Sequence, residues 1–348
     1  MRECLTYDDV QIAPKYSDME SRGECSLETR WVNDHVLSVP VISSPMSTIS
    51  EKEMAWALFE LGAIGTIHRF TYSEVQVNHA QAIVDDYQEK GIRCVSITPF
   101  AIGATSDYLF RTKKLYETGV RVFIVDIAHG HSKHMKDVMK ALRQEFSGIT
   151  VIGGSIATKD AATDQLEWGV DILRVGMGNG SLCETRIRTG IGIPQLTAIM
   201  DVYEATQGKN IIIADGGIRT PGDAAKAIGA GADLVMLGSL LAGTKETPGK
   251  FIRIGNFPDE QLYKQYKGSA SESAKMDRNE NTDNIEGNSK IISYKGKVER
   301  IIKAITDGLK SSMSYVGART LDEFRAKVDF VRVTSAGQIE AQPHLLLK

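Results

Sequence analysis

The sequence predicts an α/β protein of the (β/α)8 TIM barrel class that carries a mobile polar flap. Three observations lead there. Eight short apolar runs rich in Val and Ile recur along the 348 residues. They are apolar at successive positions, the mark of parallel strands buried on both faces. Segments of helical spacing separate many of them, as a barrel requires. A doubly wound open sheet is the rival arrangement, because periodicity does not report closure.

In chain order, the runs are "VLSVPVISSP" (36–45), "AIGTIH" (63–68), "RCVSITP" (93–99) and "RVFIVDIAHG" (121–130). "TVIGGS" (150–155), "DILRVGMG" (171–178), "NIIIADGG" (210–217) and "DLVMLGS" (233–239) complete the set. Between them, "EKEMAWALFELG" (51–62) and "TPGDAAKAIGAG" (220–231) end in glycine, a common helix stop. "SKHMKDVMKALRQEF" (132–146) has apolar residues at helical spacing. Residues 267–296, "KGSASESAKMDRNENTDNIEGNSKIISYKG", are polar and lack apolar periodicity. That is too long for an ordinary connection and reads as a flap within one catalytic domain spanning 1–348.

Composition narrows the function. A hydrophobic fraction of 42% supports a substantial core, and a formal net charge of −3 argues against a nucleic-acid partner. No stretch has the length of a membrane span, and "MRECLTYDDVQ" lacks the apolar centre of a signal peptide. The four cysteines show neither metal spacing nor a disulfide framework, so a reduced, cytoplasmic setting is expected.

Two strand ends carry chemistry. "ADGGIRTPGDAAKAI" puts Gly216 and Gly217 between a strand and a helix, and "MLGSLLAGT" follows the next strand. Glycines allow close backbone approach to an anion, and barrels often bind phosphate after strands seven and eight. Asp215 is placed to accept from a ribose diol, and Arg219 to meet a phosphate or a neighbouring carboxylate. In "RVGMGNGSLCETR", glycines precede Cys183; Arg186 would favour its thiolate and Thr185 offers a hydroxyl for proton relay. The plainer reading of Cys183 is a half-buried structural thiol. His129, His131 and His134 have no accompanying carboxylate motif and are not read as a metal site.

These residues resemble the family of IMP dehydrogenases and GMP reductases. The likeness runs through "LTYDDVQIAP" (5–14), "SSPMSTIS" (43–50), "DIAHGHS" (126–132), "RVGMGNGSLCETRIRTGIGIPQLTAI" (174–199), "ADGGIRTPGDAAKAIGAGADLVMLGSLLAGT" (214–244), "YKGSASES" (266–273) and "GLKSSMSYVGARTLDEF" (308–324). It implies a (β/α)8 barrel, usually tetrameric, that takes a purine nucleotide monophosphate and a nicotinamide cofactor. The paired CBS regulatory module that many dehydrogenases insert in the barrel has no room here.

By that resemblance, Cys183 is the nucleophile at purine C2, with Thr185 and Glu286 as proton-handling partners. Ser44 and Met46 lie beside the nucleotide, Asp215 holds its ribose, and Ser181, Gly217, Gly238, Ser239 and Tyr266 hold its phosphate. Ser269, Ala270 and Gly287 join the same substrate site. Asp126 and Ala128 lie near the nicotinamide, while Ser314 and Tyr315 reach a cofactor from a neighbouring subunit. Carbonyls at Gly178, Gly180 and Cys183 hold a monovalent cation, K+, in relatives.

The resemblance also separates two activities. Dehydrogenases carry an Arg-Tyr pair in the flap to activate water, whereas here Arg278 precedes Asn279 and residues 269–286 contain no tyrosine. The expectation is therefore a GMP reductase that uses NADPH to convert GMP to IMP and ammonia. IMP dehydrogenase with NAD is the alternative, favoured by "LTYDDVQIAPKYSD" and the tail from 330; a non-catalytic nucleotide-binding relative is the third reading. Departures from both patterns stand at Ser47, Ser155, Asn179 and Glu184. Glu184 adds negative charge beside the thiol and is expected to oppose its ionisation.

Overall fold

Seven parallel strands follow one another around a curled sheet in the computed structural model, which describes residues 1–89, 95–105, 107–256, 259–278 and 281–343. They are Val41–Ser43, Pro99–Ile102, Val122–Val125, Thr150–Ile152, Ile172–Val175, Ile211–Asp215 and Leu234–Leu237. Leu234–Leu237 pairs in parallel with both Ile211–Asp215 and Val41–Ser43, so the last strand returns to the first.

The remaining gap is filled by 64–67. Ile64 bridges Ile42 and Ile67 bridges Phe100, both in parallel. Ile64 N–H donates to Val41 O at 3.0 Å and Ile67 N–H to Pro99 O at 2.9 Å. The run read from "AIGTIH" is thus the missing stave, second in chain order, and it closes the barrel. Ile42, Ile64, Ile67, Phe100, Ile102 and Phe123 fill the core at essentially zero exposure.

Helices cover the outside, and their starts follow local chemistry. Ser132 caps Lys133–Glu145, its side chain accepting from Met135 N–H. Thr220 and Asp223 form a reciprocal capping box on Pro221–Gly229, with proline in the first turn. The apolar stripe Met135, Val138, Met139 and Leu142 is buried against the sheet.

Three sequence expectations shift. The run 36–45 divides at Pro40: Val36–Leu37 pairs antiparallel with Thr29–Arg30, and only Val41–Ser43 enters the barrel. That small hairpin closes the N-terminal mouth, where Trp31 Nε1 donates to Ile97 O at 3.0 Å. The third stave lies later than 93–99: residues 93 and 94 are outside the described set, 95–98 turn, and Pro99–Ile102 forms the strand. Residues 267–296 are not irregular throughout. They contribute Ser289–Ser293 to an antiparallel sheet with Gln261–Lys267 and Ile252–Ile254, plus the short helix Glu272–Asp277. Ser289–Ser293 is largely exposed, so no apolar alternation is needed to hold it.

The first and last described strands pair with each other. Val10–Ile12 pairs antiparallel with Phe330–Arg332, joining the first residues to the last described strand. No helix among the described residues is long and apolar enough to cross a membrane.

Candidate active site

Strand ends place the functional side chains. Asp215 ends the seventh stave, and Gly216 and Gly217 continue with φ of 90° and 79°, a region that favours glycine. Gly238 and Ser239 follow the eighth stave, Asp126 the fourth, and Ser44 the first. Cys183 lies in the loop after the sixth stave, just before the helical turn Thr185–Thr189.

These ends enclose a cavity of about 240 Å³ whose wall includes Cys183, Thr185, Glu286, Asp215, Ser239 and Tyr266. Ser44, Met46, Ser181, Gly217, Gly238, Ser269, Ala270 and Gly287 also face it, as does Ala128. A larger cavity of about 560 Å³ adjoins it, with Ser44, Met46, Ala128, Asp215, Ser269 and Ala270 common to both. Asp126 lines only the second. Ser314 and Tyr315 line neither; they finish the helix Glu299–Tyr315, where the Tyr315 side chain is exposed.

Within the first cavity, Cys183 Sγ is 3.2 Å from Thr185 Oγ1, and Thr185 Oγ1 donates to Glu286 Oε2 at 2.6 Å. A hydroxyl has one proton. With that proton given to Glu286, the sulfur contact runs from thiol to hydroxyl, and the three groups form a path from Cys183 to a carboxylate. Backbone pairing fixes the path. Cys183 and Gly287 form an antiparallel bridge, Glu184 N–H donates to Glu286 O at 2.9 Å, and Asn288 N–H donates to Leu182 O at 3.0 Å.

Asp215 sits under opposing influences. Burial raises its carboxyl pKa, Arg174 nearby lowers it, and Asp126 raises it again. Asn179 Nδ2 donates to Asp215 O at 2.9 Å, so the asparagine that departs from the family pattern ties the cysteine loop to the seventh stave. Ser181 Oγ and Tyr266 OH are 3.2 Å apart, and burial raises the tyrosine's pKa.

Arg186 and Glu184 act otherwise than their sequence positions suggest, whereas Arg219 meets the carboxylates that were one of its two expected partners. Arg186 donates to Met177 O at 3.0 Å and Ile193 O at 2.5 Å, stapling the cysteine loop by its carbonyls. Glu184 is taken by Arg188 and Asn288, which lower its pKa and engage its carboxylate away from the thiol. Arg219 pairs with the carboxylates of Asp8 and Asp223 and is more than half exposed. His131 bonds to Asp164 at 2.8 Å, and no metal-holding group of His, Cys, Asp and Glu occurs among the described residues.

Arg174 escaped the sequence reading. Its side chain is 4% exposed; its guanidinium meets Asp126 at 3.3 Å, Ser155 at 3.1 Å and Asp215 at 3.7 Å. It lines the second cavity, reaches Asp215 on the wall that the two cavities share, and accounts for Ser155, whose hydroxyl accepts from it. The available signal was a lone arginine in the otherwise apolar run "DILRV", which a strand buried on both faces tolerates only with partners. Arg69, which donates to Asp126 at 3.3 Å, was missed as well, along with Lys275 in the second cavity; Arg278, read in the sequence as a flap residue, lines that cavity too.

Residues 4–344 match the family model described as IMP dehydrogenase / GMP reductase domain. The inosine-5'-monophosphate dehydrogenase of Borreliella burgdorferi is 34% identical, the match covering 99% of this chain and 97% of that protein. Its counterpart in Cryptosporidium parvum is 34% identical over 98% of this chain and 94% of its own length. That of Nitrosopumilus maritimus is 30% identical, with 99% of each protein covered. With a closed parallel barrel and a family match along nearly its whole length, this chain belongs to the IMP dehydrogenase / GMP reductase family.

Proposed function

We propose that this chain oxidises IMP to XMP with NAD through a covalent bond between Cys183 Sγ and purine C2. The observation that carries the covalent step is the path from Cys183 through Thr185 to Glu286. The names of its relatives favour IMP over the GMP expected from the flap sequence.

The chain's residues divide the work. Asp215 holds the ribose hydroxyls, and the walls at Ser181, Gly217, Gly238, Ser239 and Tyr266 hold the phosphate. Ser44, Met46, Ser269, Ala270 and Gly287 flank the base. Proton transfer from the thiol through Thr185 to Glu286 leaves the thiolate, which adds to C2. Asp126 and Ala128 in the adjoining cavity would hold a nicotinamide, which when bound would accept hydride from C2; that cavity's size and shared wall fit it. Glu286 gives that first proton to solvent; Thr185 and Glu286 then take a proton from the water that displaces sulfur from C2 and return it to the departing thiolate, so IMP, NAD and water give XMP, NADH and a proton. Arg186 takes the carbonyls of Met177 and Ile193, and those of Gly178, Gly180 and Cys183 are the ones that would hold a K+ ion.

The second reading is reductive deamination of GMP with NADPH. One observation favours it: between Lys267 and Ser293 the sequence has no tyrosine to complete a water-activating pair with Arg278. Here the same relay would deliver protons to departing ammonia. In either reading, Ser314 and Tyr315 reach a cofactor only from a second copy, which fits a homotetramer.

Parallel incubation with IMP plus NAD and with GMP plus NADPH, with products identified, decides between them. XMP formation that is lost in Cys183→Ala supports the proposal. IMP formed from GMP moves the reading to the reductase, and tight nucleotide binding without product from either pair would reject both.

A further inference from the structure

Among the described residues, the wall of the nucleotide cavity contains no lysine, arginine or histidine, yet it contains the carboxyl groups of Asp215 and Glu286. A 5'-phosphate brings up to two more negative charges. Hydrogen bonds from hydroxyls and backbone N–H groups direct such a group but do not neutralise it. A cation behind the wall would.

One ammonium group is bonded directly to that wall. Lys295 Nζ donates to Ser239 O at 2.9 Å and to Leu240 O at 3.1 Å. Backbone bonds hold it there: Lys295 N–H donates to Gly243 O at 2.9 Å and Lys245 N–H to Gly296 O at 2.8 Å. Lys295 is half-buried, and burial lowers its pKa. The hydrogen bonds of its ammonium go to carbonyls, not carboxylates. Of the other buried cations near the site, Lys267 pairs with Asp277 and Arg174 with Asp126 and Asp215, while Lys264 gives its ammonium to Lys245 O and Thr247 O, which do not line the cavity.

We infer that Lys295 is the counter-charge of the substrate's 5'-phosphate, acting as a positioning residue through the peptide unit after Ser239; the N–H of the next unit, Leu241, donates to Gly238 O at 3.0 Å. This rests on the nucleotide reading of the cavity. Each trans peptide presents its N–H opposite its carbonyl. An ammonium drawn to the carbonyl side polarises the N–H side and adds its own positive potential. Discrimination of a nucleotide from its nucleoside is thereby set by a residue that touches neither.

The test compares binding of IMP and inosine, by calorimetry, and the KM and kcat for IMP in wild type, Lys295→Gln and Lys295→Arg. Gln keeps an N–H donor for the carbonyls and removes the charge; Arg keeps the charge. Lys295→Gln should lower the preference for IMP over inosine by about tenfold. KM for IMP should rise while kcat holds, with inosine binding unchanged. Lys295→Arg should retain most of the preference. Equal losses for IMP and inosine in Lys295→Gln, or no loss, overturn the inference. If Lys295→Gln fails to fold, a Lys295→Arg protein that folds but has lost the preference overturns it as well, and one that has kept it supports it. A wild type that binds inosine as tightly as IMP instead refutes the nucleotide reading beneath it.

Discussion

At the scale of single residues, Glu286 carries the sharpest expectation. Its carboxylate accepts from Thr185 at 2.6 Å, and Thr185 in turn contacts the Cys183 sulfur. Glu286→Gln keeps the size and an acceptor oxygen but removes a base. Turnover should fall by about a hundredfold while KM for the nucleotide changes little, because the general acid–base contribution is lost and the binding wall stays. A steady-state series checks this; equal effects on kcat and KM would assign Glu286 to binding instead. Cys183 and Thr185 were legible as a pair because they are two residues apart. Glu286 is 101 residues from Thr185, so no local pattern connects them, and only the family resemblance pointed to it. Arg174 shows the opposite failure. The residue stood in plain view within an apolar run, but its partners Asp126, Ser155 and Asp215 come from three other strand ends.

At the scale of elements, Arg186 helps to shape the cysteine loop, its guanidinium bonded to Met177 O and Ile193 O. Gly178 has φ of 72°, and a Cβ there would lie 2.6 Å from Arg186 Cγ. Gly178→Ala therefore meets both a left-handed backbone and a side chain that is held by two carbonyls. The left-handed conformation alone costs about 1–2 kcal/mol, and the contact adds to it. Denaturant unfolding should show a loss of at least about 1 kcal/mol, with weaker nucleotide binding at temperatures where the variant is folded. Unchanged stability and affinity would mean that the loop relaxes freely. Helix boundaries near this site were readable from caps such as Thr220 and Ser132, since a cap is a local chemical event. The antiparallel sheet at Gln261–Lys267 and Ser289–Ser293 was not, because partners separated by a turn and a helix leave no periodic trace when one strand is mostly exposed.

At the scale of the whole molecule, closure decides whether strand ends from opposite sides of the chain can share one cavity. Ser44 follows the first stave and Asp215 ends the seventh, and both line the nucleotide cavity. The apolar runs foretold the staves but not their closure, since an open sheet buries the same faces. Closure rests on the short stave 64–67, which Ile64 joins to Ile42 and Ile67 joins to Phe100. Phe100 has zero exposure and sits at that seam. Phe100→Ala should cost about 3–5 kcal/mol, the usual range for truncating a buried phenylalanine. Its effect should also be directional. Amide exchange should accelerate first at Ile67 and Ala101, whose N–H groups bond across the seam at 2.9 and 2.8 Å. The far strands, Ile172–Val175 and Ile211–Asp215, should keep their protection until global unfolding. Uniform acceleration around the barrel would show instead that the eight staves open as one unit, and that the seam is no weaker than the rest.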